Sequence, residues 1–269
     1  MNNRNMEVDI ASIKQKTFQK IHAEERRKKH RRIMIFASAV ASAMLLIGFN
    51  IEWSTTEVMQ SLKVPAGEKA TLILADGTKV VANSRTELVY PRIFKGNTRE
   101  VTVRGEAYFE VAHDPEHPFI VKADQFNIKV LGTRFNVSNY DASASNVVLI
   151  QGSVELMTQD DDQIRMKPLD KVEICNGSFT SKAQVNPNDY TCWMDGIYCF
   201  NNKTVANIMH DFEKYYGVHV EVRNPRLKSV SLSGKFRVSE GLDYALDVMK
   251  NEVRFSYHRS LDKDTLFIN

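Results

Sequence analysis

Hydrophobic and polar residues change rhythm three times along the chain. In residues 8–22, Ile10, Ile13, Phe18 and Ile21 fall near one face at helical spacing, with Lys14, Lys16 and Lys20 elsewhere. That spacing predicts a short amphipathic helix. Residues 33–51, "IMIFASAVASAMLLIGFNI", then run for nineteen positions without a charge. As a helix they would rise roughly 28 Å, close to the about 30 Å of a bilayer's hydrocarbon core, and so predict a transmembrane helix. From residue 58 to about residue 172 the texture becomes short alternating segments. "KATLILADGTKVVANS" reads as two strands around Asp76-Gly77. "REVTVRGEAYFEVAH", "PFIVKADQFNIKVLGTRFNVSNY" and "NVVLIQGSVELMTQDDDQIRMKPLDKVEI" continue the alternation, with Asp160, Asp161 and Asp162 at a turn. Many short strands and no helical period predict a sandwich or barrel.

After a polar stretch, "NGSFTSKAQVNPNDY", the pattern is mixed. "GIYCFNN" reads as a strand. "KTVANIMHDFEKYYG" reads as a helix capped by Thr204 and stopped by Gly217, with Val205, Ile208, Met209 and Phe212 inward. "VHVEVRN" and "SVSLSGKFRV" are strands, "SEGLDYALDVMKNE" is a helix capped by Ser239, and "RFSYHRS" and "DTLFIN" close the chain as strands. This order predicts a small α+β domain. The expected boundaries are a basic segment at 1–32, a membrane span at 33–51, a β domain at 58–175, a linker at 176–194 and an α+β domain at 195–269.

Charge fixes the expected orientation. Residues 1–32 hold ten Lys/Arg against four Asp/Glu, whereas the rest holds 26 basic and 29 acidic residues. Arg26, Arg27, Lys28, Lys29, Arg31 and Arg32 lie just before the apolar run, with Glu52 and Trp53 just after it. By the positive-inside rule the N-terminus stays cytoplasmic and the body is exported, in a single pass through an inner membrane. A cleaved signal peptide is the rival reading, because Ala37, Ser38 and Ala39, and Ala41, Ser42 and Ala43, resemble small-residue cleavage sites. The apolar run continues past both. Beside such a span the basic run reads as a topology signal and not as a nucleic-acid arm. The amphipathic stripe of 8–22 needs a partner, either a protein or an anionic lipid surface.

Candidate chemistry is sparse. The three cysteines, Cys175, Cys192 and Cys199, form no C-x-x-C, and a Cys192–Cys199 bridge would suit an oxidising compartment. "HDPEHP" gathers His113, Asp114, Glu116 and His117, which as a set of ligands competes with a solvated turn. No nucleophile elbow, P-loop, H-E-x-x-H or G-x-G-x-x-G occurs. No cofactor and no metal site is expected, and no substrate-turnover site.

"VPAGEKATLILADGTKVVANSRTELVYP", "VRGEAYFEVAHDPEHPFIVKA" and "VLGTRFNV" resemble the periplasmic domain of the FecR family of anti-sigma factors. "WMDGIYCFNNKTVANIMHDFEKYYGVHVEV" and "SGKF" resemble the C-terminal domain of Bacteroidetes-type members. The resemblance spans about residues 58–269. It implies a jelly-roll-like β domain followed by an α+β domain (β-α-β-β-α-β) similar to the secretin/TonB signalling fold. It also implies a role. The cytoplasmic segment would hold an extracytoplasmic-function sigma factor, through Ile10, Ile13, Phe18 and Ile21. The periplasmic part would sense the signalling domain of a TonB-dependent outer-membrane transporter, and the released sigma factor would transcribe an uptake operon. Family members usually carry more than 32 cytoplasmic residues. Either residues 8–22 suffice for the grip, or the true start lies upstream.

The resemblance also places Gly132 and Thr133 in a motif where some members cut their own chain once. The Thr hydroxyl would attack the preceding carbonyl, and water would open the resulting ester. The competing reading is a bulge or bend that glycine permits. An alternative function, an anchored envelope carbohydrate-binding protein, would use Tyr90, Tyr108 and Tyr140.

Overall fold

The computed structural model describes residues 4–52, 57–141, 143–261 and 264–269, and within the N-terminal helix the side chains of 14, 16, 18, 20 and 22–44. The chain falls into two compact units, Met1–Thr56 and Glu57–Asn269.

Among the described residues the first unit contains one helix, α1 (Arg4–Glu52). Among the described residues no helix is long and apolar enough to cross a membrane. This overturns the transmembrane helix expected over 33–51. The basic run at 26–32 belongs to the same continuous helix. The side chains of 45–51 and all of Trp53 lie outside the described residues.

The second unit opens with thirteen strands: β1 (Met59–Lys63), β2 (Ala70–Ile73), β3 (Lys79–Ala82), β4 (Glu87–Pro91), β5 (Arg99–Glu110), β6 (Phe119–Lys122), β7 (Phe126–Val130), β8 (Arg134–Asn139), β9 (Ser145–Gln151), β10 (Val154–Thr158), β11 (Gln163–Met166), β12 (Asp170–Cys175) and β13 (Ser178–Gln184). They form two faces joined by one long strand. The first half of β5 pairs with β4 and, in parallel, with β6, and that sheet runs β1-β4-β5-β6-β7-β10-β11. The second half of β5 pairs with β3 and β8, and that sheet runs β2-β3-β5-β8-β9-β12-β13.

Gly105 sits where β5 passes from one sheet to the other, with φ at +117°. A Cβ there would lie 2.5 Å from Thr86 Oγ1 and 2.7 Å from Thr86 Cα. The Thr86 hydroxyl accepts from Glu106 N and donates to Glu106 O, both at 3.0 Å. It thus bonds the backbone where the ladder changes partners. Alternation along the strands then fills one core, with Val101, Val103, Ala107 and Phe109 of β5 all inward. Phe109 stacks on Phe135, with centroids 5.1 Å apart.

The polar stretch expected as a linker carries structure. Ser178–Gln184 is β13, an exposed edge strand on β12. After it come α2 (Asn188–Thr191), a 3₁₀ turn at Cys192–Asp195, and the α+β elements. These are β14 (Ile197–Thr204), α3 (Val205–Tyr216), β15 (His219–Val222), α4 (Pro225–Lys228), β16 (Ser231–Arg237), α5 (Leu242–Lys250), β17 (Tyr257–Arg259) and β18 (Thr265–Ile268). β14 pairs with β16, while β15 and β17 flank β18, the first in parallel. Helices α3 and α5 bury Ile208, Met209, Phe212, Ala245, Leu246 and Met249 in a second core. Thr204 caps α3, and Gly217, in the left-handed region, ends it. Ser239 does not cap α5. A 3₁₀ turn holds Val238–Glu240, and α5 starts after Gly241 without a side-chain cap.

Candidate functional site: a polar seam and its cleft

Single polar residues from distant strands join the sandwich to the α+β domain. On β5, side chains alternate, so Glu106 points away from the core that Ala107 and Phe109 fill. Its two carboxylate oxygens accept from Asn83 Nδ2 at 2.8 Å and Asn136 Nδ2 at 3.0 Å. Asn136 in turn accepts from the buried indole of Trp193, at 3.3 Å. Lys69 Nζ donates to the carbonyls of Met194, at 2.7 Å, and Trp193, at 3.3 Å. Tyr140 donates to Ser84 O at 2.7 Å, and Lys214 of α3 lies 4.4 Å over its ring.

Electrostatics differ across the seam. Burial raises the Glu106 carboxyl above its usual range, opposed by its two asparagine donors and by Lys214. Burial would likewise raise Asp211 of α3, but Lys203 and Lys214 outweigh it and hold that carboxyl below its usual range. Asp211 also accepts from Tyr198 OH at 2.5 Å. A cleft of about 940 Å³ opens on this seam, with Tyr140, Lys171, Tyr190, Cys192, Cys199 and Lys203 among its walls. Lys171 Nζ lies 5.1 Å over the Tyr190 ring. Lysines, aromatic rings and amides line the cleft.

The residues singled out in the sequence lie apart from it, save Tyr140 and the cysteines. Gly132 and Thr133 form the bend between β7 and β8. A Cβ on Gly132 would meet His113 Nδ1 at 2.5 Å and His113 Cα at 2.8 Å, so glycine is required by close approach. Thr133 is buried, its hydroxyl donates to Ser153 O at 3.0 Å, and its carbonyl accepts from Val111 N at 3.0 Å. His113 is the neighbour that the sequence did not supply, being nineteen positions away with no shared period.

The "HDPEHP" turn is organised by Arg99. Its buried guanidinium pairs with Asp76 at 2.7 Å and donates to the carbonyls of Ala112, Asp114 and His117. Asp114 is drawn below its usual range by the His117 hydrogen bond. Among the described residues no three His, Cys, Asp or Glu side chains gather as a metal site. Tyr90 packs against the sandwich core, and Tyr108 is half-buried on β5.

On α1, Phe18 is 66% exposed, with its ring 5.0 Å from that of His22. Arg26, Arg27, Lys28, Lys29, Arg31 and Arg32 are exposed. The side chains of Ile10, Ile13 and Ile21 lie outside the described residues. Sequence reading missed Glu106, Asn136, Trp193 and Asp211. Only a buried-type Trp just before a strand hinted at any of them.

This fold defines a class, a two-sheet β sandwich carrying a small α+β domain on a polar seam. The chain belongs to the FecR family: the FecR protein family matches residues 60–155, and the FecR C-terminal family matches residues 197–268. Two crystal structures of a proposed anti-sigma factor from Parabacteroides distasonis ATCC 8503 resemble it, with TM-scores of 0.71 and 0.72. Each is 26% identical, over 78% of this chain and 98% of that one. No curated protein sequence matches the chain.

Proposed function

We propose that this chain is an anti-sigma factor and signal transducer. It relays the state of a TonB-dependent outer-membrane transporter to an extracytoplasmic-function sigma factor, and so controls transcription of an uptake operon. The observation that carries the reading is the match over both domains, in the same order, to a proposed anti-sigma factor nearly all of whose length is covered. FecR membership supports a sigma-factor partner. In this reading the sandwich and the α+β domain act as one receiver for the transporter's signalling domain, since the seam joins them through Trp193, Lys69 and Ser84. The exposed Phe18 lies on the segment that meets the sigma factor.

The test is affinity capture of the tagged full-length chain from cells grown with and without the transporter's substrate. Recovery of an extracytoplasmic-function sigma factor, reduced when the substrate is present, supports the proposal. Recovery of no sigma factor in either state refutes it. Capture of the isolated transporter signalling domain by the same chain tests the second partner separately.

A further inference from the structure

We propose that β16 is a strand-addition edge, which takes an extended acidic segment of the transporter's signalling domain. This rests on the proposed function, in which the α+β domain is part of the receiver. β16 pairs with β14 on one side and with no strand on the other. Val238 N donates to Gly196 O at 2.9 Å, and Val205 N to Val230 O at 2.7 Å. These bonds fix the phase of the ladder at both ends. Bonded and non-bonded pairs alternate along antiparallel strands. Ile197 with Arg237, Cys199 with Lys235, and Thr204 with Ser231 are therefore non-bonded pairs. The ladder's irregularity, between Phe200 and Lys203, lies on β14, so alternation along β16 runs unbroken through Ser233. The N–H groups of Ser231, Ser233, Lys235 and Arg237, and the carbonyls of the first three, thus point away from β14. All four residues are exposed, and among the described residues none of these backbone groups has a partner.

The strand is held from beneath. Phe236 is buried in the second core against Tyr198, Phe200 and Phe212, and a Cβ on Gly234 would come within 2.9 Å of Phe200 Cζ. The edge is therefore ordered before a partner arrives, which lowers the cost of adding a strand.

Charge selects the occupant. Lys235 and Arg237 stand two positions apart on the solvent face, opposite the uncharged Cys199 and Ile197. Among the described residues neither has an ion pair. An added strand with carboxylates two positions apart sets one beside each cation. A second copy of β16 would instead gather the cations of both copies along one edge, which disfavours self-pairing. β13, also an edge strand, has no such free cation. Its Lys182 pairs with Asp170 and donates to Arg165 O, while Thr180 and Ser181 donate to Glu173.

The experiment measures amide hydrogen exchange of the full chain, free and with the isolated transporter signalling domain, and capture of that domain by two variants. The amides of Ser231, Ser233, Lys235 and Arg237 should exchange fast in the free chain and slow together in the complex. K235E/R237E reverses both charges and should weaken capture about tenfold or more. Lys235→Pro removes an outward donor and no bond to β14, so it should also weaken capture, with the circular dichroism spectrum unchanged. If the wild type captures the domain while those amides keep their free exchange rates, strand addition at β16 is overturned and the anti-sigma reading stands. Capture by both variants within about twofold of the wild type has the same meaning. Loss of capture in K235E/R237E with no amide slowed also overturns it, leaving a charged contact without an added strand. Failure of the wild type to capture the domain overturns this inference together with the receiver reading.

Discussion

Ser84 Oγ donates to the carbonyl oxygen of Lys214 at 2.6 Å, across 130 positions of sequence. That carbonyl belongs to the last turn of α3, where helix carbonyls have no intrahelical donor. The same Ser84 oxygen accepts from Gly67 N at 2.8 Å. Gly67 itself lies so close to α3 that a Cβ would come within 2.9 Å of Tyr215 O. One hydroxyl therefore satisfies two backbone groups at the joint between the domains. Ser84→Ala leaves both without it and should cost about 1–3 kcal/mol. Urea denaturation followed by tryptophan fluorescence will read this as a lower midpoint.

Gly105→Ala should be more severe. The substitution drives a methyl group into the backbone and hydroxyl of Thr86 and keeps a φ of +117° that alanine resists. Overpacking and backbone strain together should cost about 3 kcal/mol or more. A thermal melt should show a much lower transition, and Thr86→Gly should recover little of it, because the 2.7 Å approach to the Cα of residue 86 remains.

Such relationships mark the line between what was legible in the chain and what was not. The Asp76-Gly77 turn was legible because its chemistry is local. Gly77 takes a φ of +85°, and Thr78 N donates to Asp76 Oδ1 at 3.0 Å. The Thr204 cap and the Gly217 stop were legible for the same reason. Ser239 was misread because a 3₁₀ turn delays the start of α5 past Gly241, and no local rule distinguishes the two starts. β13 escaped notice because an exposed edge strand needs no apolar alternation, and of its seven residues only Phe179 packs on the core. The basic run was read as a flank of a membrane span at 33–51, whereas both belong to one continuous helix, Arg4–Glu52. The seam was invisible. Asn136 and Trp193 meet across 57 positions, and neither residue type announces a partner.

Thr133→Ala tests the bend between β7 and β8. The Thr133 hydroxyl is directed at Ser153 O, which accepts it at 3.0 Å. Removing it deletes a part-buried hydrogen bond to the carbonyl of the exposed Ser153 and should cost about 0.5–1.5 kcal/mol. With the hydroxyl so engaged, wild type and Thr133→Ala should both migrate as full-length chains in a denaturing gel. A shorter pair of fragments from the wild type alone would show that the hydroxyl leaves Ser153 to attack Gly132.

Phe18→Asp addresses the opposite end of the chain. Phe18 is exposed on α1, so the change should leave the urea transition of Glu57–Asn269 unmoved. If this face grips the sigma factor, a reporter of the target operon should become constitutive in the variant. A reporter that stays inducible would remove Phe18 from the contact.

The two seam carboxyls should give stability opposite slopes with pH. Asp211 has an ordinary value of 3.8 and a lowered one in the fold, because Lys203 and Lys214 outweigh its burial. The folded chain therefore holds that proton less tightly than the unfolded chain. The stability it contributes is complete above pH 3.8 and is lost as pH falls through the folded value. Glu106 has an ordinary value of 4.5 and a raised one in the fold, because burial outweighs Asn136, Asn83 and Lys214. Above pH 4.5 the unfolded chain gives up this proton first, so stability falls as pH rises toward the folded value. Asp211 on α3 adds its negative charge to that upward push, and Tyr140 and Tyr215 feel the same carboxylate. Urea midpoints measured across this range should therefore decline on both sides. Asp211→Asn should flatten the acid side and lower the curve above pH 3.8 by about 2 kcal/mol, a difference that closes as pH falls, since it strips a charged partner from Tyr198, Lys203 and Lys214. Glu106→Gln should flatten only the side above pH 4.5. An unchanged slope in that variant would mean that Glu106 keeps its ordinary affinity for protons, and that water reaches the seam between Asn83 and Asn136.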